Sequence, residues 1–146
     1  MKNVLEVALN MLGKLDNIED QQNLLRMVIS RTSYRDENAA RQMLSRLESA
    51  ELRDIAVSTL SHRFSPDSRN DIALINSIEE PRVRETAILN MLYASAETGG
   101  MRVVELGREL GLSQKKIDKL KLLVECRDTD VHNSASRRKC GAVLYH

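Results

Sequence analysis

Apolar residues recur at helical spacing along almost the whole chain. Between residues 52 and 60, Leu52, Ala56 and Leu60 fall at i, i+4 and i+8, which places them on one face of an α-helix. No stretch longer than four residues alternates strictly between apolar and polar, as a half-buried strand would. The pattern therefore predicts an all-α protein of stacked antiparallel helix pairs without a sheet. Eight helices are expected, at 2–14, 18–31, 35–48, 50–63, 67–77, 81–95, 101–110 and 114–126.

Capping residues place the ends of several of these helices. Pro81 fits the first turn of a helix capped near Glu80, because proline lacks the N–H that a helix start leaves unpaired. Ser33, followed by Asp36, and Ser65, followed by Pro66, are further predicted start signals. The glycine pair at 99–100 predicts the end of one helix, and the Gly-Leu-Ser turn at 111–113 predicts a stop followed by a new start.

The chain also repeats itself at an offset of 31 residues. Leu52 then falls on Val83, Ala56 on Ala87 and Leu60 on Met91. A fainter earlier copy places Gln21, Leu25 and Ile29 at the same offset before Leu52, Ala56 and Leu60. One helix pair cannot bury its own apolar face, so similar pairs are expected to stack and share a continuous core.

Residues 8–95 resemble the helical-hairpin repeats of the tetratricopeptide and HEAT-like superfamilies. The segment 78–84, Ile-Glu-Glu-Pro-Arg-Val-Arg, is similar to the turn between paired helices in such repeats. The chain departs from the tetratricopeptide pattern, since it lacks bulky aromatics early in each repeat and its period is short. The resemblance implies a stacked array that holds a peptide or partner protein. The alternative is an ordinary helix bundle with chance internal similarity.

The C-terminal part of the chain differs from the body in charge. Residues 1–100 carry 12 basic and 15 acidic side chains, whereas residues 101–146 carry 10 basic and 6 acidic ones, and the whole chain has a net charge of +1. We expect a single helical domain over 1–126, with a repeat-like body at 1–98 and a terminal helix pair at 101–126. Residues 127–146 are expected to form a polar tail.

The segment 103–124 resembles a helix-turn-helix. Gly107 would let the second helix approach, Gly111 would take the left-handed turn, and Ile117 would anchor the second helix. This resemblance implies a DNA-binding regulator as an alternative function. The same pattern also suits a structural corner. The residues that would contact nucleic acid are Gln114, Lys115, Lys116, Lys119 and Arg108.

Arginine dominates the basic residues of the body, with ten Arg and two Lys in residues 1–100. The forked guanidinium suits the carboxylates of a partner, and Arg53 and Arg84 recur at the repeat offset. The alternative is that long arginine stems shield helix flanks. The candidate protein-binding residues are Arg53, Arg84, Arg82 and Arg46.

Other chemistry has little support in the sequence. Cys126, His132, Cys140 and His146 form a weak zinc candidate, since two thiolates and two imidazoles suit tetrahedral zinc but the spacing matches no familiar finger. Otherwise Cys126 packs at a helix end and Cys140 is a free thiol. No catalytic or phosphate-loop motif occurs. We therefore expect a cytoplasmic, non-enzymatic adaptor without a cofactor, which binds another protein or itself.

Overall fold

The structure is a computed structural model that describes residues 4–96 and 101–128. In these two ranges it contains eight α-helices, one short 3-10 helix and no strand, which confirms the predicted all-α fold class. The helices are α1 (Val4–Lys14), α2 (Ile18–Arg35), α3 (Glu37–Arg46), α4 (Ala50–Leu60), the 3-10 helix (Ser61–Arg63), α5 (Arg69–Asn76), α6 (Pro81–Ser95), α7 (Met101–Glu109) and α8 (Gln114–Asp128).

Two of the predicted helix starts lie elsewhere. Ser33 is inside α2, where its hydroxyl donates to the Ser30 carbonyl at 2.8 Å, and Asp36 instead caps α3 by accepting from the Ala39 amide at 3.1 Å. Ser68 rather than Ser65 caps α5. A serine hydroxyl can bond within its own helix or cap the next one, so the local pattern alone does not separate these roles. The predicted cap at Glu80, with Pro81 in the first turn of α6, is confirmed.

The helices form the pairs α1–α2, α3–α4, α5–α6 and α7–α8, and the second, even-numbered helix of each pair belongs to one layer. Helix α2 packs on α4, α4 on α6, and α6 on α8. Each first helix packs against the even-numbered helices that precede and follow it in the chain, so the odd helices cover the other side of that layer. The 3-10 helix after α4 packs on α6 and tightens the junction between these two neighbours.

Positions related by the offset of 31 share the same depth in the core. Ala56 and Ala87 are completely buried, as are Leu60 and Met91. The core continues into the terminal pair, where Ile117 and Leu120 pack with the residues buried in the body. Each such aliphatic side chain contributes roughly 1.5–3 kcal/mol through burial, so the layer of even helices carries much of the hydrophobic stabilisation.

A buried carboxylate ties α4 to the beginning of α6. Asp54 is buried, and its two oxygens accept hydrogen bonds from the Glu79 and Glu80 amides at 3.2 and 3.1 Å. These amides precede α6, where negative charge also suits the helix dipole. The residue one repeat later, Glu85 of α6, reaches the start of α8, where the Ser113 hydroxyl donates to its Oε2 at 3.5 Å. Acidic side chains at this offset therefore contact the start of the next even helix.

An ion pair joins α3 to α5 on the other side of the molecule. Arg41 Nη1 lies 2.6 Å from Asp71 Oδ1, and Asp71 Oδ2 accepts from the Ser65 amide at 2.9 Å. The Arg41 guanidinium also stacks over the Phe64 ring, 4.9 Å from its centre. Burial of Asp71 favours its neutral form, but the hydrogen bonds from Arg41 and Ser65 outweigh burial and lower the pKa of Asp71 below its ordinary value.

We expect Asp71→Asn to destabilise the protein by about 1–3 kcal/mol at pH 7, because it removes a charge to which two groups donate, the Arg41 guanidinium and the Ser65 amide. Since the pKa of Asp71 is lowered in the folded state, this contribution is present at neutral pH and is lost as the pH falls through that pKa. Urea unfolding of wild type and Asp71→Asn should be measured from pH 7 to pH 3. The difference between their free energies of unfolding should become smaller below about pH 4.

The matched control is Asp16→Asn, because Asp16 is exposed and makes no hydrogen bond or ion pair with the described residues. It should change the free energy of unfolding by less than about 0.5 kcal/mol. A gap between wild type and Asp71→Asn that stays constant, or widens, as the pH falls would contradict the proposed role of the ion pair.

Candidate partner-binding groove

A groove crosses the outer face of the even-helix layer. Helix α4 lies between α2 and α6, so its outward side chains are only half-buried instead of projecting freely. The cavity has a volume of about 380 Å³. Its lining residues come from these three helices: Arg26 from α2, Ile55, Ser58 and Thr59 from α4, and Arg82, Val83, Thr86 and Asn90 from α6.

Helical geometry explains why α4 offers this stripe. The residues that α4 buries, such as Leu52, Ala56 and Leu60, occupy one side of the helix. Ile55 and Ser58 are separated by three residues and lie together on the opposite side. Because neighbours flank α4 on both sides, this opposite side becomes the floor of a groove and α2 and α6 become its walls.

The threonine hydroxyls of the groove are arranged to accept hydrogen bonds from a ligand. The Thr59 hydroxyl donates to the Ile55 carbonyl at 2.7 Å, and the Thr86 hydroxyl donates to the Arg82 carbonyl at 3.0 Å. Their oxygens keep lone pairs that can accept from a ligand. The Asn90 carboxamide makes no hydrogen bond with the residues that the structure describes, so it offers both a donor and an acceptor.

The groove is electropositive. None of its described lining residues is acidic. Arg26 Nη1 donates to the neutral Asn23 side chain at 3.1 Å, and the Arg82 guanidinium makes no hydrogen bond or ion pair within 4–96 and 101–128. Both arginines are exposed. They therefore carry positive charge that no ion pair within the described residues neutralises.

The four arginines that the sequence suggested for partner binding lie in different places. Arg82 lines the groove, whereas Arg46 is exposed at the end of α3 in the layer of odd helices. Arg53 donates to the Ser77 hydroxyl and Arg84 to the Ile78 carbonyl, each at 3.2 Å. The two arginines that recur at the repeat offset thus bond within the protein and stabilise the turn before α6.

Arg26 also lines the groove, although it was not among the arginines that the sequence suggested for partner binding. It lies 56 residues before Arg82, which is not a multiple of the repeat offset, so the internal repeat does not relate them. The helical pattern does place Arg26 next to the buried Leu25 and Ile29. That pattern shows an arginine at the edge of a buried face, but it does not show which other helix lies across from it.

The terminal pair has the tight turn that its sequence predicts. Gly111 has a φ of +89°, a backbone conformation that glycine adopts without strain. A Cβ atom on Gly107 would lie 2.9 Å from Ile117 Cδ1, so this glycine permits the close approach of α7 and α8. The Ser113 hydroxyl accepts from the Lys116 amide at 3.4 Å and caps α8.

The residues suggested for nucleic-acid contact are on and beside α8. Gln114 donates to Asp118 at 2.9 Å, and Lys115 and Arg108 are exposed, whereas Lys116 and Lys119 are half-buried. Glu85 contacts Ser113 at the start of α8. A phosphate that approached this helix N-terminus would meet the carboxylates of Glu85 and Asp118, which oppose its binding.

The zinc candidate falls mostly outside the part of the chain that the structure describes. Cys126 is half-buried near the end of α8. His132, Cys140 and His146 lie outside the described residues. Within 4–96 and 101–128, no group of three or more His, Cys, Asp and Glu could hold a metal ion.

Comparison with known proteins adds no relative. No family model, curated protein or solved structure matches this chain. Among the described residues, no helix is long and apolar enough to cross a membrane.

What the groove can bind follows from its own side chains, which supply two guanidinium groups, three hydroxyls, one carboxamide and two aliphatic residues.

Two glycine substitutions test the turn between α7 and α8, one in the turn and one, as a control, inside a helix. Gly111→Ala should destabilise the protein by about 1 kcal/mol or more, because alanine is strained at positive φ. Gly13→Ala should instead stabilise it by about 0.5 kcal/mol, because Gly13 is helical and a Cβ there meets no atom within 4 Å. Thermal and urea unfolding would measure both changes, and equal effects of the two substitutions would contradict the assigned turn.

Proposed function

We propose that this chain is a non-enzymatic helical-repeat scaffold that binds a partner protein in the groove across α2, α4 and α6. One observation carries the proposal: three successive even helices form a recessed surface with two exposed arginines that have no ionic partner among residues 4–96 and 101–128. Side chains on packed helices are held more firmly than side chains on loops, which suits a preorganised binding surface.

The chemistry of the groove favours peptide binding over catalysis. Its lining residues include no carboxylate, histidine or cysteine, so they supply no group that would act as a general base or a strong nucleophile near neutral pH. Hydroxyl oxygens and the Asn90 carboxamide instead match the N–H and C=O groups of a peptide backbone. Ile55 and Val83 give the groove an apolar floor for a side chain of the partner.

A steric block of the groove tests the proposal. Thr86→Trp replaces an exposed groove residue by a large ring, and Ala73→Trp is the matched control because Ala73 is exposed on α5, outside the groove. Wild type and Ala73→Trp should capture the same protein from a lysate of the native cell, and Thr86→Trp should capture at least ten times less. Quantitative mass spectrometry measures the capture, and circular dichroism verifies the helical content of each variant.

Two results would remove this function. Equal capture by Thr86→Trp would mean that the partner binds another surface. Failure of all three proteins to capture any partner would leave the scaffold without a ligand.

The alternative of a DNA-binding regulator has less support, because Glu85 and Asp118 flank the start of α8. We expect no shift of duplex DNA by the protein even at low salt, where phosphate contacts are strongest. If a shift occurs and Lys115→Glu with Lys116→Glu abolishes it, the terminal pair is a nucleic-acid site and our expectation of no DNA binding is wrong.

A further inference from the structure

We propose that the segment bound in this groove is acidic, with carboxylates that pair with Arg26 on one wall and Arg82 on the other. This inference rests on the proposed function, since it names the chemistry of the partner that the groove takes. Guanidinium groups bind carboxylates through paired N–H···O hydrogen bonds, and such bonds are strong where the surroundings exclude water.

The placement of Arg26 and Arg82 in one groove supports this assignment. Arg41 pairs with Glu37 and Asp71, and Arg102 pairs with Asp67. Arg26 and Arg82, like Arg46 and Arg69, have no ion pair within the described ranges, but these two lie together in a groove whose described lining includes no acidic residue. A ligand that supplies carboxylates would neutralise both, whereas a basic or neutral ligand would leave two positive charges partly desolvated.

The spacing of the helices that carry the two arginines gives the approximate length of the bound segment. Neighbouring helices lie about 8–10 Å apart, so the axes of α2 and α6, with α4 between them, lie roughly 16–20 Å apart. An extended chain advances about 3.3 Å per residue, so about five or six residues span this distance. We therefore expect two acidic positions separated by about four residues that lie over α4.

The floor between the arginines defines what those middle residues are. Ile55 and Val83 are half-buried and would contact a small aliphatic side chain. The Thr59 and Thr86 hydroxyls already donate to their own helices, so their oxygens would accept from amides of the segment. Asn90 would complement a backbone carbonyl or amide. The groove therefore fits a short acidic segment with small, uncharged residues at its centre.

A polyanionic nucleic acid fits the same groove less well. No aromatic side chain lines it, so bases would find no ring on which to stack. Glu51 is exposed on α4, four residues before Ile55, and Glu80 is exposed at the start of α6. These carboxylates would oppose a continuous phosphate backbone that extended along α4 or α6 beyond the two arginines.

Fluorescence anisotropy with defined peptides tests the inference. The probe is a fluorescein-labelled ten-residue peptide with two glutamates separated by four residues, Ser-Val-Ala-Ser, and its partner probe has glutamine at both positions. We expect saturable binding of the glutamate probe that weakens as NaCl is raised, and at least tenfold weaker binding of the glutamine probe. Amide shifts in a two-dimensional NMR spectrum should concentrate at Ile55, Ser58 and Asn90.

Charge-removing variants connect this binding to the two arginines. Arg26→Gln with Arg82→Gln should weaken binding of the glutamate probe at least tenfold. Arg46→Gln with Arg69→Gln is the matched control, because both arginines are exposed on odd helices and neither forms an ion pair with a described residue. The control should bind as wild type does, and thermal unfolding shows that both double variants are folded.

Each other outcome overturns the inference in its own way. Equal binding of both probes, or an equal loss in the control variant, would mean that Arg26 and Arg82 do not select carboxylates. Tighter, Arg82-dependent binding of a labelled twelve-nucleotide DNA strand would assign the groove to nucleic acid. Self-association in sedimentation that the Arg26→Gln, Arg82→Gln variant loses would make a second copy the occupant.

The two levels of the proposal can fail separately. If Thr86→Trp abolishes capture of the native partner while neither peptide probe binds, the proposed scaffold function is supported and the inference that the bound segment is acidic is wrong. If the glutamate probe binds through both arginines while capture does not depend on the groove, the groove takes acidic peptides but is not the surface that binds the captured partner.

Discussion

The structure depends on the burial of α4 and α6 between even-helix neighbours. Ala56 and Ala87 have no exposed surface, and their small side chains leave room for the helices around them to approach closely. Helix α4 packs on both α2 and α6, and α6 packs in turn on α8. A displacement of either helix would therefore open apolar contacts on two sides at once, which makes this layer the rigid part of the fold.

Polar contacts define how one helix pair sits on the next. Asp54 binds two amides before α6, and Arg41 joins α3 to Asp71 of α5. Hydrophobic burial is non-directional, so it favours close packing without selecting one register. Buried hydrogen bonds do select a register, because a charged group left without its partner is costly. Arg53 and Arg84 belong with these contacts, since both bond to residues of the turn before α6.

The same packing creates the candidate functional surface. Because α2 and α6 flank α4, side chains that would be exposed on an isolated helix become the recessed floor of a groove. Arginines on the two walls are then close enough to act on one ligand, although 56 residues separate them in the chain. The proposed function of binding an acidic segment therefore follows from the arrangement of three helices and from no single motif.

The sequence by itself determined the features that depend on neighbours along the chain. It predicted the eight helices from apolar spacing, the start of α6 from Pro81, and the turn between α7 and α8 from Gly111. Only the tertiary structure decided that Arg82 lines a groove with Arg26, while Arg84 bonds to the Ile78 carbonyl. The physical reason is that helical period fixes which face of a helix is buried, whereas the partners of an exposed side chain depend on which helices pack beside it.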